Sequence, residues 1–261
     1  MIEATPLILS FNEAPNLPRT LRQLRWAGQI VVLDSFSTDE TESICRGFPN
    51  LQFVQRRFDD HTSQWNYGLD LVPTPWVLSL DADYVLTDPL VHELQGLRPD
   101  PGVMAYFARF TYCIHGHPLR SALYPPRAVL FRKDACRYVP DGHTQLLRVS
   151  GRTAWLRNQI CHDDRKPLDR WLASQLRYSA LEAAHLAQTP PSQLNSADRI
   201  RRTILLAPFL VFFHTLFAKR LILDGWPGWY YVFQRTLVEL LRSLRLLDLR
   251  FAPPKDSTEP R

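Results

Sequence analysis

Cysteine is scarce in this chain of 261 residues: Cys45, Cys113, Cys136 and Cys161 are all there is, with no C-x-x-C pair among them. Such spacing excludes a disulfide-stapled secreted scaffold and is expected of free, partly buried thiols in a reducing compartment. "CIHGH" (113–117) collects soft-ligand types, yet as a zinc site it lacks a fourth partner at workable spacing. No basic region precedes the first apolar residues in "MIEATPLILSF", and that run is too short for a signal peptide, so the expected location is the cytoplasm. Internal repeats, low-complexity tracts and known nucleic-acid modules are also missing, which argues against a nucleic-acid partner. Even the most apolar stretch, "TILLAPFLVFFHTLFA" (203–218), falls short of the ~20 residues a membrane-spanning helix needs, and Pro208 and His214 interrupt it.

What is present describes an ordinary globular protein, 45% hydrophobic and 22% charged. The net charge of +5 suits anionic partners such as nucleotides, phosphates or a membrane surface. The first hundred residues alternate between apolar, β-branched runs and amphipathic stretches. "PLILSF" (6–11), "QIVVLDS" (29–35), "LQFVQR" (51–56) and "WVLSLDAD" (76–83) read as strands, separated by helix-like "LPRTLRQLRWA", "STDETESICRGF" and "HTSQWNYGLDLV". This is the pattern of βαβ units and a parallel sheet, whose ligands bind beyond the carboxyl ends of the strands. Residues 102–161 switch to strand-like runs separated by turns, a mixed antiparallel extension, and a helical period takes over from Pro167. The expected organisation is therefore a catalytic α/β domain over 1–166, in a nucleotide-binding half (1–100) and an acceptor half (101–166). Helices follow over 167–250, with a frayed tail over 251–261.

The strand ends carry the chemistry. Ser10, Asn12 and Glu13 follow the first, Asp34 and Ser35 the second, and Asp81 and Asp83 the fourth. A buried strand that runs into two carboxylates is costly unless something cationic or hydrogen-bonded meets them. Asp81 and Asp83 can hold a hard divalent cation, Mg²⁺ or Mn²⁺, that shares its remaining positions with substrate phosphates. The alternative is a solvated loop in which one of them caps the next helix.

"PLILSFNEAPNLPRTL", "IVVLDSFSTDET", "QWNYGL" and "WVLSLDAD", in that order, resemble the nucleotide-binding half of the family 2 inverting glycosyltransferases. The later "DGHTQ", "ICHDD" and "LDGWPG" are similar to the branch that adds glucose to the lipopolysaccharide inner core. The resemblance covers roughly residues 5–245. It implies a GT-A-type, Rossmann-like α/β fold with a mixed sheet and C-terminal amphipathic helices. It also implies a nucleotide-sugar site in which Asn12, Glu13 and Asp34 meet the nucleoside, beside Ser10. Gln64 and Asn66 would line the ribose and diphosphate, Asp81 the ribose, and Asp83 the metal. Trp65 stands where the family often has a basic residue. Asp39 and Thr41 read as helix-start residues.

The family's base, which deprotonates the acceptor hydroxyl, falls in "VPDGHTQL" (139–146). Related sequences commonly place an acid directly after the histidine, where this chain has Thr144. Asp141 is the first candidate and His143 the alternative; Asp141 is also a natural turn residue before Gly142. His162 resembles a further metal ligand, with Asp163 and Asp164 either orienting it or capping the helix near Pro167. Arg165 and Lys166 either meet the diphosphate or form a solvated charge pair.

The apolar stretch 203–218, its basic flanks and the aromatic-rich "GWYYVFQRTLVELLRSLRLLDLR" suggest a segment lying in an anionic membrane interface, with Arg235, Glu239 and Arg242 on one helix face. The alternative is a packed helical hairpin. The expected activity is transfer of a hexose, glucose, from a UDP-sugar such as UDP-glucose to a glycolipid or saccharide acceptor. It would take place at the inner face of the membrane and be peripheral to it. Transfer to a polyprenyl phosphate and a non-catalytic sugar-nucleotide-binding subunit are the rivals. A nucleotidyltransferase is disfavoured, because "SFNEAPN" lacks a Gly-rich loop.

Overall fold

The computed structural model describes residues 2–141 and 144–251, with the backbone alone at 141 and 144. The chain divides into two compact units, Met1–Lys166 and Pro167–Arg261.

In the first unit, β1 (Ala4–Ser10), β2 (Ile30–Asp34), β3 (Leu51–Gln55) and β4 (Trp76–Asp81) are joined by α1 (Leu17–Arg22), α2 (Thr41–Arg46) and α3 (His61–Leu71). They pair in parallel in the spatial order β3-β2-β1-β4. β1, β2 and β4 are buried almost along their whole length because helices cover both faces, whereas the edge strand β3 exposes Gln52 and Gln55. One face packs Ile8, Ile30, Val32 and Leu78 against Leu17 and Leu21 of α1. The other packs Leu7, Val31 and Val77 against Trp65 and Leu69 of α3. Alternate residues of each strand thus enter different cores, as the period of two requires. Asp60 caps α3 by accepting the Ser63 N–H at 2.9 Å.

The short β5 (Tyr84–Leu86) and α4 (Asp88–Gly96) follow β4. Then β6 (Val103–Ala108), β7 (Phe110–Ile114), β8 (His117–Pro118), β9 (Arg127–Arg132), β10 (Cys136–Asp141), β11 (Thr144–Val149), β12 (Arg152–Trp155) and β13 (Ile160–His162) complete the unit. β9 runs antiparallel between β4 and β6, and β12 joins the edge parallel to β6, so the seven-stranded order is β12-β6-β9-β4-β1-β2-β3. A second sheet, β5-β13-β7-β8, stands beside it, and β10 and β11 form a separate hairpin. The extension is mixed, as the sequence suggests.

β1 lies between β2 on one side and β4 on the other, so the chain winds away from β1 in both directions. That topological switch point is where doubly wound sheets open a crevice. The register brings Ser10 opposite Asp34 and Leu9 opposite Asp81, which sets the polar strand ends along one edge.

In the second unit, α5 (Leu168–Gln188), α6 (Ser196–Arg201), α7 (Leu206–Phe213) and α8 (Trp226–Phe251) surround Ala183, Leu186, Leu194, Ile204 and Leu246. No described helix is long and apolar enough to cross a membrane. Gly228 is required where α8 begins, since a Cβ there would run into the Leu221 carbonyl oxygen. Glu239 and Arg242, expected on a polar helix face, are both buried. Arg242 donates to Glu239 and to Glu182 of α5, and Arg201 of α6 donates to Glu239 at 3.3 Å. The polar stripe of α8 is therefore an internal ion cluster.

Candidate active site

Asp81 ends β4, and the turn after it returns Asp83 to the start of β5. β13 pairs antiparallel with β5, with His162 opposite Tyr84, and so delivers a histidine 79 residues away to the same spot. His162 Nε2 stands 3.1 Å from Asp83 Oδ2. Two neighbouring ligands of an octahedral ion at ~2.1 Å stand about 3.0 Å apart, so the pair has the spacing of two such ligands. Asp83 is 8% exposed, and its other oxygen, Oδ1, is buried without a hydrogen-bond partner among the described residues, as is His162 Nδ1. An unpartnered buried carboxylate oxygen is costly in the ligand-free protein and becomes favourable once a cation meets it. Among the described residues no group of three or more His, Cys, Asp and Glu side chains is placed to hold a metal ion. Asp83 and His162 therefore fit a hard cation that completes its shell with water and substrate phosphate oxygens, as Mg²⁺ commonly does.

Burial pushes the Asp83 carboxyl up, but the charge and hydrogen bond of His162 and the charge of Lys166 more than offset it, so Asp83 is held below its usual range. Burial likewise lowers the His162 imidazole, and Asp83 reverses the sign, leaving it raised. Asp81 is open to solvent at the end of β4, with Asp83, Tyr84, Arg127 and His162 around its carboxylate. That enclosure, and then the Asp83 charge, raise its carboxyl against the pull of Arg127. The two carboxylates thus titrate apart.

An aromatic wall backs the pair. The Tyr124 and Tyr112 rings lie edge-on to His162 at 4.4 Å and 4.7 Å, and the hydroxyls of Tyr84 and Tyr124 are hydrogen-bonded to each other. The Arg127 guanidinium sits 5.5 Å from the Tyr124 ring centroid. A second cation, Lys166, bonds Glu13 Oε1 at 3.0 Å and Asp164 at 3.4 Å. Burial pushes the Glu13 carboxyl up to about 7, with Lys166 and then Asn16 partly offsetting it. Glu13 and then Asp164 hold the Lys166 ammonium well above its usual range against its own burial. Two cations therefore flank two carboxylates at the switch point, an arrangement suited to a diphosphate and a divalent ion together.

Most of the other residues expected at the site brace its loops. Asp34 is fully buried and accepts from Ser10 Oγ at 2.9 Å, Ser37 N at 2.7 Å and Ser37 Oγ at 2.5 Å. It ties β1 to the loop after β2. Asn12, at a positive φ of 55°, accepts the Thr38 N–H at 2.7 Å and braces the same loop. Asp39 accepts from both N and Oγ1 of Thr41, while Thr41 Oγ1 accepts the Glu13 N–H at 2.8 Å. Gln64 is buried and accepts from Arg56 at 2.5 Å. Asn66 makes a reciprocal pair with the backbone N–H and C=O of Tyr138, which clamps β10 onto α3. Trp65 stacks on Tyr138 at 5.2 Å as a core residue.

Asp163 is turned to Arg19 at 2.6 Å and to Arg165, away from His162, and Asp164 accepts from Asn16 at 2.9 Å. The His143 position and the Asp141 and Thr144 side chains lie outside the described residues; the Asp141 backbone closes β10 opposite Thr144. Tyr84, Tyr124 and Arg127 carry no signal in the sequence. "YPPR" reads only as a turn, and nothing in its spacing ties it to a histidine 38 positions after Tyr124.

Residues 7–141 match the model of the family described as glycosyl transferase family 2. Over 250 residues the chain is 25% identical to the lipopolysaccharide core biosynthesis glycosyltransferase LpsC of Rhizobium meliloti (strain 1021), with 87% of each chain covered. Among solved structures, S. aureus TarS 1-349 in complex with UDP-GlcNAc is 12% identical at a TM-score of 0.44, covering 98% of this chain and 93% of that one. Glucosyl-3-phosphoglycerate synthase from Mycobacterium tuberculosis, in complex with Mn²⁺, UDP and phosphoglyceric acid, is 14% identical at a TM-score of 0.44, covering 72% and 80%.

Proposed function

This chain belongs to glycosyl transferase family 2, and from that footing we propose that it moves a hexose, glucose, from a UDP-sugar to a lipid-linked saccharide such as lipopolysaccharide core, inverting the anomeric carbon. It is a glycosyltransferase; the donor, metal and acceptor are the proposal. The observation that carries it is the buried, unpartnered Oδ1 of Asp83 beside His162 at the switch point. The acceptor class is supported by the similarity to an enzyme of lipopolysaccharide core biosynthesis.

In this reading Asp83 and His162 hold Mg²⁺ or Mn²⁺, which when bound neutralises charge on the donor's diphosphate. Asp81, exposed at the end of β4, accepts from the ribose. Ser10, Asn12, Asp34 and Gln64 act by shaping the nucleoside rim, since their polar atoms already brace one another and the loop after β2. Glu13 positions Lys166, and Lys166 and Arg127 face the charge that develops on the leaving diphosphate. Asn66 acts at one remove, fixing the strand that ends at Asp141.

Asp141 takes the proton from the acceptor hydroxyl as its oxygen bonds to the anomeric carbon and the bond to the diphosphate breaks, with His143 as the alternative base. Peripheral attachment at the cytoplasmic face of the membrane is supported by exposed Leu205, Leu206, Phe209, Phe213, Phe217 and Trp226. The test is release of UDP from UDP-sugars by the purified protein with Mn²⁺ and lipopolysaccharide core as acceptor, compared with Asp141→Asn and His143→Ala. A fall of ~10²–10⁴-fold in turnover for Asp141→Asn, at unchanged donor affinity, is expected. The same signature in His143→Ala moves the base there, and no release by the wild type from any UDP-sugar refutes the reading.

A further inference from the structure

Cys113 on β7 and Cys161 on β13 are 48 residues apart in the chain, and the fold brings their sulfurs to 2.7 Å. The cause is the register. β13 runs parallel to β7 with Cys161 opposite Thr111, and Cys113 lies two residues further along. Residues two apart in a strand share a face, so the two thiols point to the same side of the sheet and converge on the diagonal. Both are free, Cys113 buried and Cys161 half-buried. Bonded sulfurs stand about 2.05 Å apart, so closure requires roughly 0.7 Å of relative movement.

We propose that Cys113 and Cys161 are a redox modification site that closes reversibly to an intramolecular disulfide. With a peroxide as oxidant, the more exposed Cys161 sulfur attacks the O–O bond. One oxygen stays on sulfur as a sulfenic acid, and the other leaves as water with the thiol proton. The Cys113 sulfur then attacks Cys161, the S–S bond forms, the S–O bond breaks and a second water departs with the Cys113 proton. Two electrons pass from the thiols to the peroxide.

Closure has a route to the site described above. β13 is three residues long, and Cys161 directly precedes His162, whose ring contacts Asp83. Drawing Cys161 toward β7 displaces that histidine, and a misplacement approaching 1 Å costs up to roughly 100-fold in rate. This consequence rests on the transferase reading; the disulfide does not.

The full chain is treated with hydrogen peroxide, alkylated with N-ethylmaleimide in denaturant and digested with trypsin. The expected result is a linked pair of peptides, 110–120 and 158–165, two hydrogens lighter than their sum and separated by dithiothreitol, with Cys45 and Cys136 alkylated. Alkylation of all four thiols, over-oxidation of Cys161 beside an alkylated Cys113, or links to other cysteines or between chains overturns the proposal. Where the reduced protein is active, peroxide should lower its activity in the wild type, with recovery in dithiothreitol, and leave Cys161→Ser unaffected. Linked protein with full activity overturns the connection to His162. An inactive reduced protein that still forms the link counts against the transferase reading alone.

Discussion

Glu13→Gln removes a titration that makes the first unit less stable as the solution becomes neutral. The Glu13 carboxyl is 13% exposed and bonded to Lys166 at 3.0 Å and Asn16 at 2.9 Å, yet burial outweighs both partners and moves it from the ordinary 4.5 to about 7. The folded chain therefore keeps this proton to higher pH than the unfolded chain does. The associated stability is fully present below pH 4.5 and lost as pH rises through about 7. At about 1.4 kcal/mol per pH unit the difference amounts to about 3 kcal/mol. The amide of the variant keeps the shape and an acceptor for Asn16 and Lys166 but carries no proton equilibrium. Urea unfolding of both proteins, followed by tryptophan emission from about pH 4.5 to about pH 7.5, isolates the effect, because His162 and the other carboxylates are common to the two. Wild-type stability minus variant stability should fall by about 3 kcal/mol across that window. A difference that stays constant within about 1 kcal/mol refutes the argument that burial controls Glu13.

Arg242→Ala leaves Glu239 buried, with Arg201 at 3.3 Å as its remaining cation, and should destabilise the second unit by about 3–5 kcal/mol in urea. Arg242→Met, which fills the same space, should cost less than Arg242→Ala; equal losses would show that the filled volume is immaterial and that the lost charge carries the whole cost. Charge reversal at Arg202, Lys219 and Arg220, which spares the internally paired Arg201, should lower co-sedimentation with phosphatidylserine vesicles. At about 1 kcal/mol per basic residue the drop is roughly 100-fold or more and shrinks as salt rises. Equal sedimentation of both proteins would favour burial of that apolar face against protein.

The βαβ half was legible because its strands are buried on both faces and its helices keep a regular period, two signals that local sequence carries in full. α4 went unread even though Thr87 before Asp88-Pro89 is a fair start signal, since nine residues with few apolar positions give little periodicity. β5 is three residues long, below the length at which alternation can be seen, and the equally short β13 reads only as the end of one strand-like run over 153–161 that the fold divides between β12 and β13. Residue types at the strand ends pointed to a nucleotide-and-metal edge. Spacing could not reveal that β13 carries His162 to Asp83, or that Lys166 folds back onto Glu13 from the far end of the unit. Burial was equally invisible. Asp34, Gln64 and Asn66 have the side chains of ligands, and the fold commits them to loops and strands. Glu239 and Arg242 read as the charged face of an amphipathic helix, and the fold buries both of them in an ion cluster with Glu182 and Arg201.

Binding of UDP measured by calorimetry, with Mn²⁺ and with a chelator, in the wild type and in Asp83→Ala, tests the metal-nucleotide site most directly. If Asp83 holds the cation, the wild type binds UDP in a Mn²⁺-dependent manner and the variant shows none of that dependence. The metal-free variant should melt no higher than the metal-free wild type, because His162 and Lys166 outweigh the burial of the Asp83 carboxylate and that attraction is lost. Mn²⁺-dependent UDP binding of wild-type strength in Asp83→Ala would contradict the assignment.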